Sequence, residues 1–432
     1  MNVVLRQQAR AIFEAAISAA DPADAVRHYL QQSDYSPYKN IWVVGAGKAS
    51  ATMAQAAESI LGPRIHGGVI NTKDGHLAHL HTVELNECSH PIPDQRGLHG
   101  AQRIADIVAQ AAPEDLILVL LSGGASALLP MPAPPITLAE KQATTSLLLA
   151  SGADIHSINT IRKHLSAIKG GQLARMAART PIETLILSDV IGNDLEVIGS
   201  GPTTPDSSTF ADALAILARY QLTQRIPQAV RQHLQRGAAG ELPETPKPGD
   251  PLFHRVRNTI VLDNRIALES AAHQARAFGF DTHVLSATVQ GETRDAARAM
   301  AQHARTCIPP TCLISGGETT VTLKGPGLGG RNQEFVLAAA IEVSGLNNIV
   351  ILSAGTDGTD GPTDAAGAIA DGQTFARNPH AQLYLDSNDS YPYFHSLGDL
   401  VKTGPTGTNV MDIHIFLIGL PETKGEDASA LA

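Results

Sequence analysis

The sequence predicts an α/β protein of two domains, the first with a parallel sheet covered on both faces and the second a further α/β domain. Short unbroken apolar segments alternate with longer helical patterns, as expected of strands buried in a parallel sheet. The composition includes 38 Gly and only 4% aromatic residues, a balance typical of this class. The length of 432 residues exceeds what one hydrophobic core usually supports, which favours two domains.

The charge and cysteine content limit the classes of function. The formal net charge is -10, so nucleic acid and anionic membranes are not expected partners. Cys88, Cys307 and Cys312 form neither a CxxC pair nor an even disulfide set, and we expect them to be reduced. The first residues lack the apolar segment of a signal peptide, so a cytoplasmic location is expected. The sequence leaves a homodimer open.

The first half of the chain alternates between helical and apolar segments. Residues 6–31 have the spacing of one amphipathic helix, which breaks near residues 33–37. Three apolar segments then each run directly into a turn of glycine or small polar residues. These predicted strands are residues 41–44, 116–121 and 184–187. A strand, a tight turn and a helix in repetition indicate a parallel sheet.

A segment rich in proline and glycine, residues 243–251, is predicted to join the two domains. The predicted domains are residues 1–245 and 246–432. The alternation then restarts. The predicted helices are residues 266–278, 293–303 and 333–343, and the predicted strands are residues 259–262, 282–286, 311–314, 349–352 and 412–417. The sequence leaves open whether the last of these strands crosses back and pairs with earlier strands of the domain.

The first glycine turn, Gly45-Ala46-Gly47-Lys48-Ala49-Ser50, has two glycines of the dinucleotide fingerprint but Ser50 at the third. No clear acidic residue closes a following strand at the expected distance, and the spacing also excludes a P-loop. What remains is Lys48 at the start of a helix, where backbone amides and an ammonium suit an anion. A solvated lysine on an ordinary turn is the alternative.

Each predicted domain contains one Ser-Gly-Gly sequence after an apolar strand, at residues 122–124 and 315–317. The two sequences are interpreted either as matching ligand loops or as two ordinary turns, which are common in this architecture.

The segment that ends in Arg331 is the most unusual in the chain. Residues 325–330 contain four glycines, which let the backbone come close to a ligand. Arg331 would then begin a helix with a planar fork that can hold two oxygens. The alternative is a surface hairpin, although such a glycine run costs backbone entropy without an obvious structural return.

Several acidic residues follow predicted strands, where ligands of open α/β sheets bind. Asp189 and Asp194 follow one strand, and Asp357, Asp360 and Asp364 follow another. Oxygen-rich loops suit Mg²⁺, and Asp189 could instead orient a substrate hydroxyl as a base. Asp360 and Asp364 are each expected to cap a helix.

Eight motifs occur in an order that characterises one known family. They read GAGKAS, LLSGGASALL, IRKHLSAIKGGQLA, LSDVIGNDLEVIGSGPTTPD, SGGETTV, GLGGRNQEF, SAGTDGTDGPTDAAGA and GPTGTNVMD. Together they resemble the class II glycerate 2-kinases, a family whose C-terminal half is the MOFRL domain. The match extends from about residue 8 to about residue 420.

This resemblance implies a Rossmann-like N-terminal domain with a parallel sheet, a second α/β domain of the MOFRL type, and an active site in the cleft between them. It implies ATP and Mg²⁺ as cofactors. It also implies glycerate as the substrate, phosphorylated on its 2-hydroxyl. The essential lysine and arginine of the family match Lys48 and Arg331, and the LSDV aspartate matches Asp189. These three are the predicted catalytic residues.

The same motifs supply the remaining candidates. The predicted substrate- and nucleotide-binding residues are Gly45, Gly47, Ser122, Gly123, Gly124, Ser126, Ser315, Gly316, Gly317, Glu318, Gly329, Asn332, Asp357 and Asn409. The predicted metal ligands are Asp189, Asp194 and Asp357. Which Ser-Gly-Gly sequence would hold ATP, and which glycerate, stays open.

Two other functions stay open. Members of this family often have the name hydroxypyruvate reductase, but the incomplete dinucleotide fingerprint argues against that activity. A protein that binds sugar phosphates without catalysis is the third hypothesis, and it would not need acidic residues near a metal.

Overall fold

The computed structural model describes residues 2–420, which form two compact units. The parallel unit comprises Pro22–Leu262, and the mixed unit comprises residues 2–21 with residues 263–420. Their names refer to the strand directions in the two sheets. Within residues 2–420, no helix has both the length and the apolar character needed to cross a membrane.

The elements of the described residues are numbered in chain order. The strands are β1 (Ile41–Ala46), β2 (Ile65–Lys73), β3 (Glu84–Cys88), β4 (Leu116–Leu121), β5 (Ile182–Leu187), β6 (Val256–Leu262), β7 (Asp281–Val289), β8 (Thr311–Gly317), β9 (Ile349–Gly355), β10 (Gly367–Asp371), β11 (Leu400–Val401) and β12 (Asp412–Ile418). The α-helices are α1 (Asn2–Ala19), α2 (Pro22–Gln31), α3 (Ser50–Leu61), α4 (Gln95–Gln110), α5 (Ala125–Leu128), α6 (Leu138–Ala150), α7 (Ile155–His164), α8 (Gln172–Met176), α9 (Phe210–Arg219), α10 (Gln228–Ala238), α11 (Asn264–Ala277), α12 (Thr293–Ala304), α13 (Arg331–Glu342), α14 (Thr374–Arg377), α15 (Ala381–Asp386) and α16 (Ser390–Leu397).

The sheet of the parallel unit has the order β3-β2-β1-β4-β5-β6, and all neighbouring strands are parallel. This confirms the predicted parallel sheet of the first half. All residues of the apolar strand β4 are buried, as expected of a strand covered on both faces. The strand order reverses between β1 and β4. Ligands of open α/β sheets bind beyond the carboxyl ends of the strands at such a reversal.

The sheet of the mixed unit has the order β11-β10-β9-β12-β8-β7. β7 and β8 are parallel, whereas β12 is antiparallel to both β8 and β9. β10 is antiparallel to β9 and to β11. The second α/β domain therefore has a mixed sheet, and the last predicted strand does cross back. A short apolar run indicates a buried strand but not its direction, so the pattern could not settle this point.

Residues 6–31 form two helices, α1 and α2, rather than the single predicted helix. α2 begins with Pro22, and proline suits the first position of a helix. The two helices also belong to different units. The guanidinium of Arg6 in α1 donates to Asp371 at 2.7 Å and to Asp399 at 2.8 Å, which fixes α1 in the mixed unit.

The division between the units differs from the predicted boundary after residue 245. β6 pairs with β5 along its length, from Ile182 opposite Val256 to Leu187 opposite Leu262, and so belongs to the parallel unit. The proline-rich segment therefore forms a loop inside one unit and does not separate two.

β1 lies unusually close to β4 at Gly45. A Cβ atom at this position would lie 2.1 Å from the carbonyl oxygen of Leu120. The obstructing atom belongs to the backbone of the central strand, so no change of rotamer would relieve the overlap. Glycine is required here by close approach of two strands.

We expect Gly45→Ala to lower the free energy of unfolding by roughly 2–4 kcal/mol, since overpacking against backbone forces strands apart. Gly67→Ala in β2 is the matched control, because its Cβ would meet only Trp42 Cζ3 at 3.4 Å. That change should cost less than about 1 kcal/mol. Urea denaturation followed by circular dichroism measures both variants, and equal losses would contradict the close approach.

Candidate functional site

Two turns at the carboxyl edge of the parallel sheet bind each other directly. The backbone N–H of Lys48 donates to the carbonyl of Gly123 at 2.9 Å, and that of Ala49 donates to Ser122 Oγ at 3.0 Å. Gly47 has φ of 148°, and a Cβ there would lie 2.0 Å from Ser122 Oγ. The turn after β1 and the turn after β4 therefore form one structure at the reversal of strand order.

Three side chains surround the glycines of the turn after β4. A Cβ at Gly124 would lie 2.9 Å from His90 Nε2 and 3.6 Å from Lys48 Cγ, and a Cβ at Gly123 would lie 2.3 Å from Asp189 Oδ2. Lys48 and Asp189 were predicted site residues. His90 was missed, because only the fold brings the segment after β3 to this turn.

Positive charge collects around Lys48. Burial, together with the charges of Lys48, Lys73 and His76, lowers the pKa of His90 to about 4. The pKa of His76 is also lowered, first by burial and then by Lys73. Within residues 2–420 the Lys48 ammonium makes no ion pair. An ammonium and backbone amides at the end of a parallel sheet suit an anion.

The hydroxyl of Ser126, a predicted binding residue in α5, takes part in a hydrogen-bond chain. Its Oγ lies 2.8 Å from Ser200 Oγ, and Ser200 Oγ donates to Asn159 Oδ1 at 3.0 Å. This chain ties α5, and the glycine turn before it, to α7. Ser126 is thus first of all a positioning residue.

The argument against a dinucleotide site needs one correction. Asp74 directly follows β2, where the acidic residue of such sites stands. Arg96 holds both of its oxygens, through Nη1 at 2.7 Å and Nη2 at 2.8 Å. At the third glycine position, Ser50 Oγ donates to the Leu120 carbonyl at 3.1 Å. An acidic residue is therefore present at the expected position, but Arg96 already binds both oxygens of its carboxylate.

Two predicted acids make local contacts at exposed positions. In the parallel unit, Asp194 accepts a hydrogen bond from the backbone N–H of Glu196 at 2.9 Å. In the mixed unit, Asp364 accepts from Lys402 Nζ at 2.8 Å. These contacts give each carboxylate a structural role of its own.

Arg331 begins α13, as predicted, but its planar fork is occupied within the protein. Nε donates to Asp412 Oδ2 at 2.6 Å and Nη2 donates to Asp412 Oδ1 at 3.0 Å. Nη1 donates to Glu318 at 2.7 Å. These bonds use three of the five guanidinium N–H groups. The bidentate contact expected for a ligand is made instead with Asp412, which is fully buried.

The glycines before Arg331 have a structural reason that the sequence did not show. A Cβ at Gly327 would lie 2.5 Å from the carbonyl of Ser387, and a Cβ at Gly329 would lie 2.2 Å from Ser390 Oγ. The loop therefore packs its backbone against the segment between α15 and α16. The expectation that these glycines have no structural role is wrong.

Asp360 caps the first turn of α13, as expected. Its carboxylate accepts from the backbone N–H of Asn332 at 3.0 Å and of Gln333 at 2.8 Å. Burial raises the pKa of Asp360 to about 6. Asn332 is buried, donates to Asp412 at 2.8 Å and accepts from Ser353 at 2.5 Å. The Asn332 side chain thus links α13 to two strands of the sheet, β9 and β12.

The second Ser-Gly-Gly sequence is not a loop, because it forms the end of β8. Ser315 is buried and donates to Met300 Sδ at 3.3 Å. A Cβ at Gly316 would lie 2.0 Å from Asn264 Oδ1, and Gly317 is the last residue of the strand. The two Ser-Gly-Gly sequences therefore differ in structure.

Asp357 and Asn409 both form local turns in the mixed unit. Asp357 Oδ1 accepts from the backbone N–H of Thr359 at 3.0 Å, and Asn409 Oδ1 accepts from that of Met411 at 3.0 Å. A Cβ at Gly355 would lie 3.4 Å from Asp357 Oδ1. Asp357 therefore lies at the carboxyl end of β9.

The predicted metal ligands do not form a closed metal site. Among residues 2–420, no group of three or more His, Cys, Asp or Glu side chains is arranged to hold a metal ion. Mg²⁺ needs no such group when it arrives on a nucleotide, since one or two carboxylates then join phosphates and water. In the parallel unit, Asp189 beside Gly123 fits that use, whereas the carboxylates of Asp194 and Asp357 already accept local hydrogen bonds.

Known proteins resemble the chain over nearly its whole length. Residues 8–235 match the family model described as domain of unknown function DUF4147, and residues 311–412 match the MOFRL family. The chain is 41% identical to glycerate 2-kinase of Pyrococcus horikoshii, over 93% of this chain and 95% of that protein. It is 42% identical to an Agrobacterium vitis protein provisionally named hydroxypyruvate reductase, over 97% and 95%. The crystal structure of glycerate kinase from Thermotoga maritima is 39% identical, with a TM-score of 0.88 over 96% of this chain and 99% of that one.

We expect Arg331→Met to lower the free energy of unfolding by about 2–4 kcal/mol, because it leaves the Asp412 carboxylate buried without its charged partner. Arg331→Lys should lose most of the same amount, since a single ammonium cannot replace a planar pair of donors. Asp412→Asn in the Arg331→Met background should restore part of the loss. Urea unfolding of wild type, Arg331→Met, Asp412→Asn and the double variant measures the coupling, and strictly additive losses would contradict it.

Proposed function

Because the chain belongs to the family that joins a DUF4147 domain to a MOFRL domain and includes glycerate kinases, we propose that it is a glycerate 2-kinase. The enzyme would transfer the γ-phosphoryl group of ATP to the 2-hydroxyl of D-glycerate. The products would be 2-phosphoglycerate and ADP. Relatives of 41% and 40% identity that are named as glycerate 2-kinases support this reaction.

One observation carries the proposal, the meeting of Lys48, His90 and Asp189 around the glycine turn after β4. Phosphoryl transfer asks a protein mainly to position its substrates and to stabilise negative charge. The turn offers an ammonium, backbone amides and a carboxylate at one place in the parallel unit. This set fits a hydroxyl acceptor and a phosphoryl group better than it fits a nicotinamide.

We assign a role to each of the three side chains. Lys48 would stabilise the charge that develops on the transferring phosphoryl oxygens. Asp189 would orient the 2-hydroxyl and accept its proton. Since burial and nearby cations hold the pKa of His90 at about 4, its ring is neutral near pH 7 and can hydrogen-bond without adding charge.

ATP would enter with Mg²⁺, and among the predicted ligands the carboxylate that fits the ion best is that of Asp189 in the parallel unit. It follows a strand end and is partly exposed. When bound, the ion would neutralise charge on the phosphate oxygens. Asp194 and Asp357 fit less well, because their carboxylates already close turns onto Glu196 and Thr359.

Arg331 would contribute differently from Lys48. Two carboxylates, Glu318 and Asp412, bind its guanidinium and outweigh its single charge. Its main task is therefore to hold those carboxylates in place. The two guanidinium N–H groups that these bonds leave over can donate to a phosphate or carboxylate.

A reductase acting on hydroxypyruvate is the second candidate. The strand order of the parallel sheet and the position of Asp74 favour it, as does the name of the Agrobacterium vitis relative. The pairing of Asp74 with Arg96 and the serine at position 50 argue against it, because a ribose needs a free acid. A binding protein without catalysis would show neither activity.

With D-glycerate, ATP and Mg²⁺, we expect 2-phosphoglycerate as the only phosphorylated glycerate, because the proposed base orients the 2-hydroxyl. Phosphorus NMR distinguishes it from the 3-isomer. Formation of the 3-isomer alone would overturn the regiochemistry. Oxidation of NADH by hydroxypyruvate at a comparable rate would favour the reductase.

The same assay includes a matched pair of variants. Asp189→Asn should lower kcat by at least about 100-fold, the usual scale for losing an acid–base group. Asp194→Asn, five residues further on, removes a carboxylate that closes a local turn and lies 4.0 Å from His156 Nδ1, and it should change kcat less than about threefold. Equal activity of both variants would remove Asp189 from the mechanism.

A further inference from the structure

A cavity of about 220 Å³ lies within the parallel unit next to the turn after β4. Its walls come from α5, α6, α7 and the segment that follows His90, and Ser126 is among its lining residues. Three basic side chains also line it, Lys141 from α6, Arg162 from α7, and Lys169 from the segment after α7. No lining residue is acidic.

The three cations lack the partners that buried charges usually have. Lys141 is 7% exposed, and its Nζ has no hydrogen-bond partner among residues 2–420. Lys169 is 1% exposed, and its Nζ donates to the carbonyl of Gly199 at 3.3 Å. Among the described residues, no carboxylate forms an ion pair with Lys141, Arg162 or Lys169. The nearby cation Lys163 shows the contrast, since it binds Asp206 at 2.6 Å and Glu196 at 3.0 Å.

An unpaired buried ammonium is costly, and burial shifts its titration accordingly. Burial, with a smaller effect of Arg162, lowers the pKa of Lys141 to about 7. The pKa of Lys169 is lowered well below its ordinary value by burial, Lys141 and Arg162. A bound anion would supply the negative charge that these basic groups lack.

We infer that this cavity binds the carboxylate of the acceptor substrate, a small hydroxy acid. The inference rests on the proposed function, and it names the subsite for glycerate. The cavity is smaller than the roughly 300–1,000 Å³ of sites for drug-sized ligands. A three-carbon acid fits it, whereas a nucleoside triphosphate does not. Through Ser126 and the segment after His90, the cavity borders the turn that holds Lys48 and Asp189.

The test uses Lys141→Met and Lys169→Met in the full-length protein. Methionine keeps most of the length of the side chain and removes the charge, for which the described part of the chain provides no carboxylate. We therefore expect an unchanged or higher Tm together with weaker binding of D-glycerate, by roughly 30-fold or more in Kd. Lys39→Met is the matched control. Lys39 is 70% exposed and precedes β1, at the opposite edge of the same sheet.

Isothermal titration calorimetry with D-glycerate, and with glycerol as the probe that lacks a carboxylate, measures binding without relying on turnover. Wild type and Lys39→Met should bind glycerate and not glycerol. Unchanged glycerate affinity in both Lys141→Met and Lys169→Met would overturn the inference. A rise in the KM for ATP with no change in the KM for glycerate would overturn it too, by assigning the cations to the nucleotide.

Proton uptake gives a second readout that a structural lysine would not produce. At pH 8 the Lys141 amine is mostly neutral, and Lys169, whose pKa is also lowered, lies in the same cavity beside Arg162. A bound carboxylate favours the ammonium form of both lysines, so binding should take up protons, about one for each lysine that becomes charged. Titrations in buffers of different ionisation enthalpy detect the uptake, and Lys141→Met and Lys169→Met should each reduce it. Uptake that is unchanged in both variants would contradict the assignment.

The two proposals fail in different ways. Glycerate binding with the expected losses in the variants, but without phosphorylation, would leave the carboxylate subsite in place and remove the kinase. Phosphorylation of glycerate with full activity and affinity in Lys141→Met and Lys169→Met would leave the kinase and remove the subsite.

Discussion

The architecture of the parallel unit depends on one constraint, the direct contact between the turn after β1 and the turn after β4. Gly45 and Gly47 let the two strands and turns approach to distances that no side chain would allow. The hydrogen bond from Lys48 N–H to the carbonyl of Gly123 then joins the turns. Since these strands flank the reversal of strand order, the contact fixes the position of Lys48 where an α/β sheet binds its ligands.

The basic residues of the protein fall into two groups that differ in their partners. Within residues 2–420, no carboxylate forms an ion pair with Lys48 or with the three basic residues of the cavity, whereas Arg331 is bound by Glu318 and Asp412. On a chain with a net charge of -10, unbalanced cations concentrate positive potential in a small region of one unit. Anionic substrates would be attracted there, while the paired arginine mainly maintains structure.

The sequence predicted local features well and long-range ones poorly. Strand β4 and the helix starting near Arg331 were predicted closely, because apolar runs and glycine turns are local signals. The direction of β12 and the role of the glycines before Arg331 depend on residues far along the chain, which a pattern does not show. The same holds for His90 and Lys141. His90 lies in a proline-rich loop and Lys141 lies in a helix. In neither case does the local sequence show that a cationic side chain lies nearby in the fold.

The central claim is that the Lys48 ammonium lies beside the turn after β4 and sets the potential there. The pKa of His90, followed by NMR of its ring nitrogens, tests this most directly in wild type, Lys48→Met and the remote control Lys39→Met. The account predicts a pKa of about 4 in wild type and Lys39→Met. In Lys48→Met it should rise, while burial keeps it below the ordinary value of histidine. An ordinary pKa in wild type, or no change in Lys48→Met, would contradict the account.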